Sequence, residues 1–278
     1  MIERYFQFLG EDQTIQLLEA NEKPLTPSIR VNTLKINEEI LRTRLENKGF
    51  KLEPIDWIPY GFKIRNTPFS LGSTHEYLQG FYYLQSIAPM LPAFILNPNP
   101  SDFVIDMCAA PGGKATHLAQ IMNNEGNLIL IERNKKRIPA LEVNLRRMGV
   151  SNSIVINEDA VNLLKMNLKA DKILLDAPCT GEGLIRQDPN RKKSRKARDI
   201  EKMASIQKKL LKAGLKSLKP EGELLYSTCS IAPEENELVI HDVLGEKSSF
   251  KISEISKTYG VSGLTKVFRK NLREDLGY

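Results

Sequence analysis

The chain has 278 residues, 41% of them hydrophobic, enough for a sizeable core, which argues against a disordered chain. Its longest apolar runs, such as "FVIDMCAA" and "NLILIE", fall well short of the roughly 20 residues of a membrane span, and "MIERYFQFLGEDQ" lacks a signal-peptide layout, so a soluble, cytoplasmic protein without a membrane partner is expected. Three cysteines, odd in number and in no C-x-x-C pair, fit neither a disulfide framework nor a zinc site, and no metal is expected; a formal charge of +6 points only weakly to a polyanionic partner.

Residues 1–75 read as a small α+β unit, with "SIRVNTLKIN", the helical "EEILRTRLENKGF" and the strand-like "GFKIR". Residues 76–100, containing "EYLQGFYYLQSIAPMLPAFIL", read as a connecting helical segment bounded by "NPNPSD". From Phe103 strands and helices alternate, so residues 101–278 are expected to form a doubly wound α/β domain. "FVIDMC" is its first strand and "KATHLAQIM" its first helix. "NLILIE" is the second strand, before a helix ending at Gly149, a suitable C-cap. "SIVINED" and "KILLDAPC" are strands three and four. An amphipathic helix over roughly Ile200 to Leu218 leads into strand five, "KPEGELLYSTCS". "PEENELVIHDVL" then opens a helix with Pro and acids in its first turn. The scattered His75, His117 and His241 are given no role.

In an open parallel sheet, ligands bind outside the carboxyl ends of the strands. Strand one ends in "DMCAAPGGK", where small residues and two glycines let the backbone approach a ligand and the next helix offers its amino end. Cys108 and Ala115 rule out a Walker A loop, and the stretch is not G-x-G-x-x-G. Glu132, ending strand two about twenty residues further on, is placed to accept hydrogen bonds from ribose hydroxyls, with a solvated strand-end acid as the alternative. The combination indicates a nucleoside cofactor, either NAD or S-adenosylmethionine. Asp159, ending strand three, faces the adenine amino group by the same geometry, or else caps the following turn.

Cys179 follows strand four and Cys229 strand five, so the topology brings both to the crevice beside the cofactor, with Asp176 between cofactor and substrate. Either alone would more often be a buried structural cysteine. Together they suit methylation of a pyrimidine at carbon 5: a thiolate adds to carbon 6, carbon 5 takes a methyl group, and a base removes the carbon 5 proton so that the thiol leaves. The amino end of the helix near Pro233 favours a thiolate at Cys229, whereas Glu234 and Glu235 oppose it.

The motifs "DMCAAPGGK", "LLDAPCTGEG" and "LLYSTCS" followed by "PEENE" resemble those of the Nop/Sun-type RNA cytosine-5 methyltransferases, as do "SIRVNTLKIN" and "YYLQSIAPMLPAFIL" upstream. The chain is most similar in layout to compact archaeal members acting on tRNA. The resemblance implies a Rossmann-like methyltransferase sheet, S-adenosylmethionine as cofactor, and a small N-terminal RNA-contacting unit. It assigns the cofactor to Cys108, Ala109, Ala110, Pro111, Gly112, Gly113, Lys114, Glu132, Arg137, Asp159 and Asp176. Cys229 becomes the nucleophile and Cys179 the thiol of proton removal or product release. Asp176 also reaches the cytosine edge, and Lys114 completes the catalytic set.

The expected partner is RNA bound by a monomer, tRNA first and ribosomal RNA as the alternative, with the target base unstacked into the pocket. Phosphate contacts are expected from the basic stretch "RQDPNRKKSRKARD", read as a loop, and from Arg30, Lys35, Arg42, Arg44 and Lys48. Two departures from the family stand out. Ala115 replaces a frequent threonine, and the apolar strand that usually follows a segment like "LTKVFRKNLREDLGY" is expected to be missing unless another segment takes that edge. Two other classes compete: a non-catalytic RNA-binding protein on this scaffold, disfavoured by the paired cysteines and intact turn, and a nicotinamide oxidoreductase, disfavoured by the missing dinucleotide fingerprint.

Overall fold

The computed structural model describes residues 1–194, 197–245, 248–256 and 259–277. Two helices open the chain, α1 (Ile2–Leu9) and α2 (Glu11–Glu22). After β1 (Ser28–Val31) comes α3 (Glu38–Glu46), whose first turn is capped by the Asn37 side chain accepting the Glu39 N–H at 2.9 Å. Leu41 and Leu45, one turn apart, carry its buried face. β2 (Lys51–Ile55), β3 (Ile58–Asn66), a one-turn α4 (His75–Leu78), β4 (Tyr82–Leu84) and α5 (Leu91–Leu96) follow. The four strands form an antiparallel sheet in the order β2-β3-β1-β4.

Residues 76–100 are therefore not a purely helical connector. Tyr82 to Leu84 pair with β1 as a sheet edge, and Tyr82 is fully buried with its hydroxyl donating to the Leu71 carbonyl. The aromatic run Phe81 to Tyr83 suits a half-buried pleated surface, and β1 offers it an open edge.

The second sheet is built from β5 (Phe103–Asp106), β6 (Asn127–Ile131), β7 (Ser153–Ile156), β8 (Ala170–Asp176) and β9 (Leu218–Ser227). Their order is β7-β6-β5-β8-β9, with parallel registers from β7 through β8, which is the expected Rossmann-like arrangement. Central strands covered on both faces read as unbroken apolar runs: Val104, Ile105, Leu128, Leu130 and Ile173 to Leu175 are all buried. The helices are α6 (Gly113–Ile121), α7 (Ile138–Met148), α8 (Arg191–Ser194), α9 (Ala197–Lys216) and α10 (Glu237–Leu244). α7 ends at Gly149 in the left-handed conformation, as expected. Beyond α10, the described residues add the short hairpin of β10 (Lys266–Val267) and β11 (Lys270–Asn271), which does not join the five-stranded sheet, and a 3-10 turn over Glu274–Gly277.

The chain divides into two compact units. The larger comprises residues 26–176 and 213–226, and the smaller residues 1–25, 177–212 and 227–278. Inside the larger unit the antiparallel sheet is bonded to α6 and α7 through side chains expected to face RNA. Arg30 is wholly buried: its guanidinium donates to the Gly113 carbonyl at 2.7 Å, Thr116 Oγ1 at 2.8 Å and Gln85 Oε1 at 3.0 Å. Lys35 donates to the carbonyls of Gln79 and Arg147, Arg44 and Lys48 share the buried Glu76 carboxylate, and Arg42 pairs with Glu46. Arg30, Lys35, Arg44 and Lys48 thus serve the unit's own packing, because the carbonyls and carboxylate they meet require donors, whereas the Arg42–Glu46 pair is an exposed contact along α3.

Candidate active site

The turn after β5 is shaped by its glycines. Gly112 has a φ of 104°, a conformation strained for any other residue, and a Cβ there would come within 3.1 Å of Leu141 Cδ1, which would have to give way. α6 begins at Gly113 with no side chain capping its amino end, which leaves an anion-favouring helix terminus beside the turn. A cavity of about 220 Å³ opens here, lined by Cys108, Ala109, Ala110, Pro111, Gly113, Lys114 and Asp176. Lys114 Nζ reaches Asp176 Oδ2 at 2.7 Å, placing a paired cation and carboxylate at the carboxyl ends of β5 and β8.

The opposite wall, Tyr83 to Ser86 and Pro89, was not foreseen from sequence. Nothing in its composition marks it; it arrives because Arg30 holds Gln85, whose amide in turn donates to the Pro89 carbonyl at 2.9 Å. Asp106 was also missed, although it ends the first strand run. Its carboxylate accepts the Cys108 N–H at 3.2 Å, and burial pushes its carboxyl up to about 7, against that hydrogen bond and with help from the nearby Asp176 charge. Burial, then the Asp106 charge, push the Cys108 thiol far up, so it lines the cavity as an inert group.

Glu132 is buried at the end of β6. It accepts the Asn134 N–H at 2.7 Å and pairs with Arg137 at 3.3 Å, and Arg137 also donates to the Ala110 carbonyl of the turn. Arg137 is thereby tied to the turn while its side chain stays about half exposed. Asp159 accepts the Val161 N–H at 3.1 Å and pairs with Arg133 at 3.4 Å, the capping arrangement that was its alternative reading. Glu132, Arg137 and Asp159 flank the turn but are not among the residues lining the cavity.

In the smaller unit the two thiols meet, with Cys179 Sγ 2.9 Å from Cys229 Sγ. That contact, then burial, push the Cys179 thiol well up. Gly183 N–H donates to the Cys229 carbonyl at 3.0 Å, and a Cβ on Gly183 would stand 2.8 Å from that oxygen, so the "TGEG" glycines let the loops touch. Of the two acids expected to oppose a thiolate at Cys229, Glu234 pairs with Arg4 at 2.8 Å, and the wholly buried Glu235 accepts the Thr180 N–H at 2.9 Å. The basic stretch departs from its expected loop form. Residues 191–194 and those from 197 onward are helical, Arg186 donates to the Lys23 and Pro24 carbonyls, Lys192 pairs with Glu22, and Arg191 donates to the Thr180 carbonyl at 3.0 Å. Arg195 and Lys196 of that stretch lie outside the described residues. Arg198, Lys202 and Lys209 are exposed on α9.

A parallel sheet in this strand order, with a glycine turn and uncapped helix after its first strand, places the chain among the Rossmann-like methyltransferases. The particular family follows from comparison with known proteins. Residues 93–272 match the family described as 16S rRNA methyltransferase RsmB/F, and residues 1–87 match the N-terminal domain of 16S rRNA methyltransferase RsmF. The chain belongs to this RsmB/F methyltransferase family. It is 35% identical over 282 residues to the 25S rRNA (cytosine-C(5))-methyltransferase nop2 of Schizosaccharomyces pombe, covering 99% of this chain and 46% of that protein. The ribosomal RNA small subunit methyltransferase F of Shewanella loihica is 42% identical over 222 residues, 77% of this chain and 46% of that one. The chain thus spans about half or less of the length of these curated relatives. Among solved structures, a methyltransferase homolog protein from Pyrococcus horikoshii has 41% identity and a TM-score of 0.88, covering 99% of this chain and 86% of that one. NSun6 from the same organism, solved with SFG, has 27% identity and a TM-score of 0.82, covering 92% and 90%.

Proposed function

We propose that the protein methylates carbon 5 of cytosine in RNA through a covalent cysteine adduct, with S-adenosylmethionine as methyl donor. The observation that carries this reading is the pair of thiols 2.9 Å apart on the loops after β8 and β9. The two cysteines follow the ends of adjacent strands closely in the chain, Cys179 three residues after Asp176 and Cys229 two residues after Ser227. The donor set fits the cofactor, since the uncapped α6 terminus suits its carboxylate and the buried Glu132 suits its ribose hydroxyls. When bound, S-adenosylmethionine supplies an electrophilic methyl group.

The protein's own groups do the rest. Cys229 Sγ, as thiolate, forms a bond to carbon 6 while the carbon 5–carbon 6 double bond opens and its electron pair moves to carbon 5. Asp176, oriented by Lys114, hydrogen-bonds the base edge and stabilises the adduct. After carbon 5 is methylated, Cys179 Sγ accepts the carbon 5 proton, the double bond re-forms and the Cys229 sulfur leaves. Bonding of Cys229 to carbon 6 replaces its contact with Cys179, and Cys179 acts as base after giving its own proton to solvent, an ionisation that burial still opposes.

A 5-fluorocytosine RNA tests the roles, because fluorine at carbon 5 blocks proton removal and traps the adduct. Cys229→Ala is expected to lose adduct and turnover, and Cys179→Ala to form adduct without turnover; the reverse pattern overturns the assignment. The relatives' names favour ribosomal RNA, and tRNA was the expectation from the archaeal resemblance. Bisulfite sequencing of ribosomal and transfer RNA from cells lacking the gene distinguishes them, and an unchanged methylation map in both refutes the activity.

A further inference from the structure

Two neighbouring side chains in the smaller unit, Glu235 and Asn236, bracket the two thiols, and neither enters the chemistry above. Glu235 grips the Cys179 loop. It has no exposed surface; Oε1 accepts the Thr180 N–H at 2.9 Å, and Oε2 accepts the Thr180 hydroxyl. Gln207 extends the grip to the other side of the cysteine, its amide donating both to Glu235 Oε1 at 3.1 Å and to the Pro178 carbonyl at 2.9 Å. The residues before and after Cys179 are therefore held by one buried carboxylate and one buried amide.

Asn236 does the same for the Cys229 loop. Its amide donates to the carbonyls of Ser230 and Ala232, each at 3.0 Å, and its Oδ1 accepts the Thr228 hydroxyl at 2.7 Å. The Thr228 hydroxyl oxygen accepts the Ser230 N–H at 3.1 Å, which closes the loop around Cys229. Because Glu235 and Asn236 are consecutive, a single peptide unit sets the distance between the loops.

We propose that Glu235 and Asn236 form a two-pronged clasp that positions the Cys179 and Cys229 thiols against each other. Its bearing on catalysis rests on the methyltransferase reading above; its geometry does not. A carboxylate suits 235 because three donors converge on it, from the Thr180 amide, the Thr180 hydroxyl and Gln207. A glutamine there keeps an oxygen for the Thr180 amide and Gln207, but it forces the Thr180 hydroxyl to turn from donor to acceptor and removes the charge that strengthens all three bonds, which loosens the grip. The Glu235 charge also helps keep Cys179 protonated in the resting protein.

The test uses the full chain with Glu235→Gln, Asn236→Asp and the milder Thr180→Val, which deletes only the hydroxyl contact. Thiol juxtaposition is read first without RNA, through the rate at which diamide joins Cys179 to Cys229. Two thiols give up two protons and two electrons to the azo bond, which becomes a hydrazine, and the product is followed by intact mass. In variants that keep their melting temperature and cofactor affinity, cross-linking is expected to slow about tenfold or more for Glu235→Gln and Asn236→Asp, and less for Thr180→Val. kcat is expected to fall up to about 100-fold while KM for RNA holds, as for a misplaced reacting group. Wild-type cross-linking rates and kcat in folded variants overturn the clasp. Should the first two variants fail to fold, Thr180→Val decides alone, and its wild-type behaviour also overturns it. Slowed cross-linking in the variants, with no methylation even by the wild type, supports the clasp and refutes the methyltransferase reading.

Discussion

Arg30→Met offers the sharpest test of how the antiparallel sheet supports the cofactor turn. Methionine keeps much of the volume but deletes three hydrogen bonds from a wholly buried guanidinium, to the Gly113 carbonyl, Thr116 Oγ1 and Gln85 Oε1. Thr116 can still donate to the Gly113 carbonyl, from which it stands at 3.2 Å, so that acceptor keeps a partner. Gln85 Oε1 has no such substitute. An orphaned buried acceptor costs about 1–3 kcal/mol, and a lost bond to a charged donor about 1.5–3 kcal/mol. Relief from burying the cation offsets part of this; burial already pulls the Arg30 pKa down to about 9. A net loss of about 3 kcal/mol follows, or roughly 6–12 °C in melting temperature for a chain of this size. Because Gln85 and Gly113 both line the cavity, cofactor affinity should fall as well. Calorimetry with and without S-adenosylmethionine measures both. A variant that melts and binds cofactor like the wild type would refute the inference that Arg30 joins the sheet to the turn.

Asp106 makes stability depend on pH. Its folded pKa of about 7 lies above its unfolded value of 3.8, so the folded state binds a proton that the unfolded state has released across that window, and the stabilisation present below pH 3.8 is lost as pH rises through 7. Asp106→Asn is expected to flatten the decline in denaturant midpoint between about pH 4 and 7, by up to roughly 4 kcal/mol; an unchanged slope contradicts it. Gly112→Ala, strained at φ 104° and within 3.1 Å of Leu141, is expected to cost about 1–3 kcal/mol and to weaken cofactor binding, both readable in one titrated melt. Replacing Arg198, Lys202 and Lys209 by Gln is expected to weaken RNA binding and lower its salt slope, with cofactor affinity unchanged, whereas Arg42→Gln should leave the slope as it was. Filter binding across a salt series separates the two.

The elements of the Rossmann-like sheet were legible because each is set by local pattern. The apolar runs ending at Asp106, Ile131, Ile156 and Asp176 became β5 to β8, and Gly149 closed α7 as a glycine free to adopt φ 75° should. The cysteines after β8 and β9 could be paired from topology, since adjacent parallel strands end on the same side. Edge strand β4 was not legible, because aromatic residues at Phe81 to Tyr83 satisfy a helical pattern as readily as a strand until β1 supplies hydrogen-bond partners.

The sequence alone determined which atoms were available: two thiols, a glycine turn, and acids at the strand ends. Only the tertiary structure decided their partners. Arg30 turned from an RNA-facing cation into a buried hub, Asp159 into a cap, and Glu235 from a charge opposing a thiolate into the anchor of the Cys179 loop. The physical reason is common to all three. A charged side chain looks the same in sequence whether it faces water or a buried amide, and its role is fixed only by which donors and acceptors, distant along the chain, folding removes from solvent and leaves for it to satisfy.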